Sequence, residues 1–551
     1  MSTQKRPGFA PRSLSRALAL ALGVAGCNLV NVVPNEGMKL RPVEYALHAF
    51  DFPSGLRVIV ERDTRTPLVG VFLVVGGGSA GDPAGKEGLA HLVEHLSFRS
   101  RPFGNHTLAD LLTQAGGVDQ NARTTFDATT YSELGVASEL SVMLRIESAR
   151  MMNPVTGVTP EVHATELEVV RNELRERNES GFVGDALSPL QAQLFPASHP
   201  YARAVGGTNE SLSAITPADV QAYAAAHYRP DNMTLVIAGN LDLDATDKVL
   251  EGVLPFTLTH ASKKVVVPER MSPQPPPVPE LPPAPAKLQR IVLPVTTAEL
   301  WIAWSLPRGF DSENFLLDFS AEALDTALFQ GIVDDHEDVI SLHTRAIPGR
   351  EASMLITHVQ LASPDLAEKY LAKLLDEVPN VVVQQHASFG LNDFVFNRVR
   401  RKVLINQVLD AEQLSLRGRR RAMVTHFSRD PALFSHAVRD LDALTLPRAR
   451  AFYEPFLTAA RARAILIVPA TNEVAGVAPQ ANGTEAPRGT QGVRDGRPKP
   501  EWFDALLSAP APITYRLPNG LSVVLDHRAG LPILDASISY AVGTAIVQNP
   551  S

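Results

Sequence analysis

His91-Leu92-Val93-Glu94-His95 is the stretch on which the reading of this 551-residue chain turns. In a helix, residues four apart lie one turn apart on the same face, so His91 and His95 can present two imidazoles to one metal ion. Glu94 sits beside them, close enough to take a proton from a water held there. The flanks predict a helix that leaves a turn and packs into a core. A strand-like run over 68–75 is followed by Gly76-Gly77-Gly78-Ser79, Gly85 and Gly88, and Leu89, Leu92, Val93, Leu96 and Phe98 then surround the histidines. A buried helix carrying two histidines and a glutamate needs polar partners for them, and a metal ion is one such partner.

A tetrahedral catalytic metal takes three protein ligands and leaves one position open. The best source of the third is Glu166-Leu167-Glu168-Val169-Val170-Arg171-Asn172-Glu173, which is helical in pattern. Glu166 and Glu173 are seven residues apart, about two turns, so both carboxylates share a face. Alone, such a stretch reads as a solvated acidic helix face. Beside the histidine pair, it is a candidate ligand helix.

The motif H-x-x-E-H inverts the zinc-protease motif H-E-x-x-H, and its surroundings resemble the pitrilysin/insulinase family of zinc peptidases, which includes the mitochondrial processing peptidases. That family carries a zinc-ligand glutamate somewhat over seventy residues after the motif. Here Glu173 follows His95 by 78 residues, and Glu166 matches a second functional glutamate of the family. Asn121-Ala122, with Thr124 and Tyr131, resembles the family's substrate-side strand. His199-Pro200-Tyr201, Gly207, Leu212, Ile215, Asp219-Val220, Tyr228, Pro230, Asn232 and Leu235-Val236-Ile237-Ala238-Gly239 follow in the family's order, so the resemblance covers residues 45–245. It implies an α+β fold of two consecutive α/β-layered domains. It also implies Zn²⁺ held by His91, His95 and Glu173, with Glu94 as general base and Glu166 in support. Asn121 and Ala122 would pair through their backbone with an extended peptide.

Composition is ordinary for globular protein, with 45% hydrophobic and 20% charged residues, and the length predicts three or four domains. A net charge of −8 gives no sign of nucleic-acid binding, and Arg417-Gly418-Arg419-Arg420-Arg421 reads as a solvated helix face. Asp334-Asp335-His336-Glu337-Asp338 lacks ligand spacing and reads as an exposed loop. At the N-terminus Lys5, Arg6, Arg12 and Arg16 precede a short apolar run over 18–24, and Val24-Ala25-Gly26-Cys27 closes it. This resembles a bacterial lipoprotein signal, residues 1–27, with Cys27, the single cysteine, as the lipidated residue. It implies a membrane anchor in the bacterial envelope, with Asn28 after the cysteine pointing to the outer membrane.

The expected organisation continues with a tether (28–44), a zinc-binding peptidase domain (45–258), a proline-rich linker (259–287), a second domain without zinc ligands (288–470) and a flexible linker (471–511). Residues 512–551 begin a repeat. Tyr515-Arg516-Leu517-Pro518-Asn519-Gly520-Leu521 echoes Phe50-Asp51-Phe52-Pro53-Ser54-Gly55-Leu56, and the offset of 465 holds to Pro532 against Pro67. The expectation is therefore a peptidase of peptides or unfolded polypeptides in the envelope that stops where a second half starts. Weak turnover would follow unless a second family subunit completes it. The alternatives are a non-catalytic partner subunit and an envelope binding or assembly module.

Overall fold

The structure, a computed structural model, describes residues 45–179, 184–260, 278–333, 338–383, 392–470, 513–518 and 521–525. Cys27 with its signal, the acidic residues 334–337 and the linker at 471–511 lie outside the described residues.

Two sheets organise the chain. The first has six strands in the order β1-β2-β6-β3-β5-β4: β1 (Ala46–Asp51), β2 (Arg57–Arg62), β3 (Leu68–Gly76), β4 (Val118–Thr124), β5 (Ala128–Val136) and β6 (Met233–Gly239). The second has five in the order β7-β11-β8-β10-β9: β7 (Gln289–Leu293), β8 (Ala298–Leu306), β9 (Val339–Ile347), β10 (Ser353–Leu361) and β11 (Arg463–Pro469). Strands β3, β6 and β8 are buried almost throughout, and each reads as a continuous apolar run because both of its faces are covered.

The sheets share one topology. Strand β2 is parallel to β6 as β7 is to β11, and the other matching neighbours are antiparallel in both. The helices correspond too. After β3 the first sheet has α1 (Leu89–Arg99), and after β5 it has α2 (Leu140–Met152), α3 (Pro160–Glu179), α4 (Gly184–Leu194) and α5 (Pro217–His227). The second sheet has α6 (Asn314–Leu328) in the place of α1, then α7 (Ala367–Val383), α8 (Asp393–Glu412), α9 (Leu414–Ser428) and α10 (Leu446–Tyr453). This mixed α/β architecture is the fold class expected from the sequence. Strands β1 and β7 were not foreseen, since neither offers a long β-branched or alternating run.

The two halves cover each other's backs. Helix α9 lies on β3 and β6 of the first sheet, where Leu414, Ala422, Val424 and Phe427 pack on Ile59, Phe72, Val74 and Val236. Helix α4 lies on β8 and β11 of the second, where Leu190 and Leu194 join Trp301, Met354, Ile356 and Ile465. The arginine run is therefore not a solvated face. Arg417 and Arg421 are fully buried, with Arg417 Nε 2.6 Å from Glu61 Oε1, Arg417 Nη2 2.7 Å from Asp63 Oδ2 and Arg421 Nε 2.5 Å from Glu61 Oε2. Gly418 is where the helix touches the sheet, and a Cβ there would stand 2.0 Å from the Phe72 ring.

Residues β12 (Ile513–Arg516) and β13 (Ser522–Leu525) form a hairpin whose register repeats that of β1 and β2. Ile513 pairs with Leu525 as His48 pairs with Val60, 465 positions earlier. Ile59 is fully buried, whereas Val524, its counterpart, is 61% exposed.

Candidate metal centre

Helix α1 begins at a fixed point. Gly88 takes φ 93°, and a Cβ there would stand 2.7 Å from the Gly206 carbonyl oxygen, so glycine is required. The two oxygens of Asp82 accept the N–H groups of Gly88 and Ala90, each at 2.8 Å, and so satisfy free donors of the first turn. Burial pushes the Asp82 carboxyl up to about 7, against these two hydrogen bonds. Leu89, Leu92, Val93 and Leu96 sink into the core under the first sheet, which fixes the rotation of the helix. His91 and His95 then face α3, and Glu94 faces β4.

Helix α3 presents its glutamates to that face. Glu173 Oε2 lies 3.6 Å from His91 Nε2 and 3.3 Å from His95 Nε2, and the three donor atoms all lie within 4.8 Å of one another. The two imidazole planes stand at 89° with centroids 4.7 Å apart. Donors on a tetrahedral ion with bonds of about 2.0–2.1 Å are separated by about 3.3–3.4 Å. The His95–Glu173 edge, at 3.3 Å, matches that spacing and the His91–Glu173 edge, at 3.6 Å, is slightly longer, and a nitrogen, nitrogen, oxygen set suits Zn²⁺. The residues present therefore fit the ion that the sequence implied. Among the described residues, this is the group of three or more His, Cys, Asp or Glu side chains able to hold a metal.

Glu94 is buried and its Oε2 accepts the Thr124 hydroxyl at 2.6 Å, while Thr124 Oγ1 lies 3.1 Å from Thr129 Oγ1. Burial raises the Glu94 carboxyl, opposed by the Thr124 hydrogen bond and the nearby His95. Burial alone would lower His95, but the carboxylates of Glu173, Glu94 and Glu166 outweigh it and raise the imidazole. Glu166 is buried, with Oε2 3.6 Å from His95 Nδ1 and Oε1 accepting from Arg99 Nε at 2.6 Å. Asn121 and Ala122 lie on β4, an edge strand that pairs with β5 alone in its sheet, so one side of its backbone faces away from the sheet.

The structure thus brings His91, Glu94, His95, Glu166 and Glu173 together, with the Asn121-Ala122 strand alongside. Sequence reading missed three supports. Thr124 was legible as part of a pattern, but not as the partner of Glu94. Asp82 closes the helix from outside its own turn. Arg99 stands one turn beyond His95, a spacing that could have marked it. In the second half, α6, in the place of α1, puts Phe315, Leu316, Phe319 and Leu324 into the apolar core.

Residues 57–180 match the model of the insulinase family (peptidase family M16), and residues 214–402 match that of the peptidase M16 inactive domain. The chain thus carries an M16 domain followed by an M16 domain of the inactive type. Over 196 residues it is 32% identical to an uncharacterized zinc protease of Mycobacterium leprae, a match covering 35% of this chain and 42% of that protein. The matched stretches span less than half the length of the curated relatives. A putative M16-like peptidase from Alicyclobacillus acidocaldarius aligns over 78% of this chain and 100% of its own, with a TM-score of 0.63 at 20% identity. The periplasmic protease PqqL from Escherichia coli aligns over 80% of this chain and 50% of its own, with a TM-score of 0.57 at 17% identity. At these identities the two structures share the M16 fold with this chain, and the likeness extends no further than fold.

Proposed function

We propose that this chain is a zinc-dependent endopeptidase acting on peptides or unfolded polypeptides in the bacterial envelope. The observation that carries the reading is the convergence of two imidazoles and a carboxylate, their donor atoms within 4.8 Å of one another, beside a buried glutamate. His91, His95 and Glu173 would hold Zn²⁺, which when bound acidifies water and polarises a carbonyl. Glu94 accepts the proton of the attacking water and returns it to the leaving amine. Thr124 holds one oxygen of that carboxylate, which leaves the other to carry the proton. Glu166 faces His95 and supports the site from behind. The outer edge of β4 at Asn121 and Ala122 offers backbone pairing to an extended substrate.

Donors for the tetrahedral oxyanion are not among the groups gathered here, and each such donor is worth about 2.7–4 kcal/mol of barrier. In this reading a second M16 half supplies them, from a partner subunit or from further chain. This chain alone then binds metal and turns over slowly. Cys27, as a lipidated residue, would place the protein at the outer membrane, and the periplasmic location of PqqL is in keeping with that. Among the described residues no helix is long and apolar enough to cross a membrane. The match to an M16 inactive domain at 214–402 favours one second reading, a non-catalytic partner subunit.

Elemental analysis of the purified chain, with a quenched-peptide assay on wild type and Glu94→Gln, tests the proposal. One zinc per chain, with turnover that is lost in Glu94→Gln, is the expected result. Zinc without turnover, restored by adding a second family subunit, also fits. A folded, zinc-free protein would sink it.

A further inference from the structure

Arg99 ends α1 one turn after His95 and two turns after His91, so the three share the face turned to α3. Along α3 the order runs the other way. Glu173 meets His91 and His95, and Glu166, two turns earlier, meets His95 and Arg99. The result is a ladder of acid and base across two antiparallel helices. Its lower rung is unequal in exposure: the Glu166 side chain is 5% exposed and that of Arg99 is 52% exposed. Among the described residues, the basic groups within ion-pair distance of Glu166 are Arg99 and His95.

Resting on the reading of His91, His95 and Glu173 as metal ligands, we propose that Arg99 is a positioning residue that sets the zinc affinity of the site. Its Nε fixes Glu166 Oε1, which leaves Oε2 turned to His95 Nδ1. A carboxylate facing Nδ1 favours the tautomer with its proton there, so that Nε2 carries the lone pair and points to Glu173. Among the described residues, Arg99 is the hydrogen-bond donor that holds the carboxylate opposite His95, and without it the carboxylate turns toward solvent, where an unpaired charge is cheaper. A half-exposed ion pair contributes little to fold stability. The effect therefore falls on the metal and not on the fold, which separates this role from that of a simple clamp between helices.

The test compares the full chain with Arg99→Met, Arg99→Lys, Glu166→Gln, the double variant Arg99→Met/Glu166→Gln and a surface control, Arg101→Met. Each protein is stripped of metal. Zinc affinity is read by competition with a chromophoric chelator, and the melting temperature is read on the metal-free form. We expect Arg99→Met to weaken zinc binding about tenfold, the lower end for a partner behind a ligand. Arg99→Lys should restore part of it and Arg101→Met should match wild type. The double variant should be no weaker than Glu166→Gln, since the two act as one unit. Equal affinity in wild type and Arg99→Met would overturn the inference. So would a full additional loss in the double variant, or a fall in metal-free melting temperature that parallels the loss of affinity. A wild-type chain that binds no zinc would instead overturn the metallopeptidase reading, and this inference with it.

Discussion

Helices α1 and α6 occupy the same place on two sheets of one topology, and they solve the same packing problem differently. Helix α6 sets Phe319 against Phe396 of α8, with ring centroids 5.4 Å apart, and Phe315, Leu316 and Leu324 share one apolar core with Val395, Val399 and Val403 of α8. Its contact with α8 includes one ion pair at the rim, Lys402 to Glu322 at 2.6 Å. Helix α1 buries Leu89, Leu92, Val93 and Leu96 in the same manner but gives its α3-facing side to His91, His95 and Arg99. Apolar side chains satisfy one another wherever they meet, so the α6–α8 seam needs nothing further. Imidazoles and carboxylates at reduced exposure need partners at fixed distances. That requirement explains the added apparatus of the first half: Asp82 at the helix start, Thr124 on Glu94, and Arg99 behind Glu166. Two sheets of one topology thus carry two different seams, and the metal-fitting group lies on the first.

The largest effect should come from emptying the site of its base. Glu94→Gln keeps shape and removes the proton acceptor, so peptide turnover should fall at least about 10²–10⁴-fold with zinc content unchanged. Phe319→Ala, on α6, should do the reverse. It should cost about 3–5 kcal/mol of stability and leave zinc stoichiometry intact in the folded fraction. Denaturant titration together with elemental analysis separates the two. Zinc loss in Phe319→Ala at full folding would break the division between scaffold and site.

The backs of the sheets differ as well. Helix α4 covers the second sheet with leucines, whereas α9 covers the first with Arg417 and Arg421 on Glu61 and Asp63. Arg417→Ala leaves two buried carboxylates short of a counter-charge and should cost about 3–5 kcal/mol. Arg417→Met fills the space but leaves Glu61 with Arg421 alone and Asp63 with Arg65 alone, so it should recover only part. Leu190→Ala on α4 should cost about 2–5 kcal/mol through its cavity alone. If Arg417→Met proved as stable as wild type, the buried ion cluster would not be what seats α9.

These seats were unevenly legible in the sequence. The histidine pair and the Glu166–Glu173 spacing are local patterns with a period of one or two turns, and they place both helices and their facing sides. Strands β3 and β8 announce themselves by continuous apolar runs. The role of Arg417 depends on Glu61, some 356 residues away, and a dense basic run carries no local mark of such a partner. Its signal lay in the small and apolar positions around it, Leu414, Gly418 and Ala422, which share its helix face. The like fold of the second half was expected from the family resemblance, and no local pattern of its own announces it. Topology is held by burial pattern, and α6 keeps the burial of α1 without any of its motif.

A smaller effect separates the base from its neighbour on β4. Thr124→Val removes the hydroxyl that Glu94 accepts and keeps the shape of the side chain. A hydrogen bond to a charged group contributes about 1.5–3 kcal/mol, so kcat should fall about 10–100-fold with KM little changed, and Thr124→Ser should recover most of it. Steady-state kinetics on a family substrate would check this. A change confined to KM would move Thr124 from the base to the substrate.

The smallest effect is a pH slope that only one of the two back covers should show. His426, on α9, is buried and lies 3.0 Å from the Thr234 hydroxyl. Burial pushes its imidazole down to about 3, and Arg429, Arg350 and Arg57 push the same way. In the unfolded chain the imidazole takes its proton near 6.5. Its contribution to stability is thus present above pH 6.5 and is lost as pH falls from 6.5 toward 3, because the unfolded state then binds the extra proton. Asp82 runs the other way, since its raised carboxyl binds a proton in the fold before the unfolded chain does, and it therefore favours the fold as pH drops below about 7. The two must be separated by difference. Urea unfolding of wild type and His426→Gln between pH 7 and 5 should show wild type losing ground to the variant by about 1 kcal/mol per pH unit. Leu194→Ala, on α4, should shift stability by a constant amount over the same range. Parallel curves for wild type and His426→Gln would mean that α9 lifts from the sheet readily enough to let the imidazole reach water, and the two back covers would then be alike in seating despite their different chemistry.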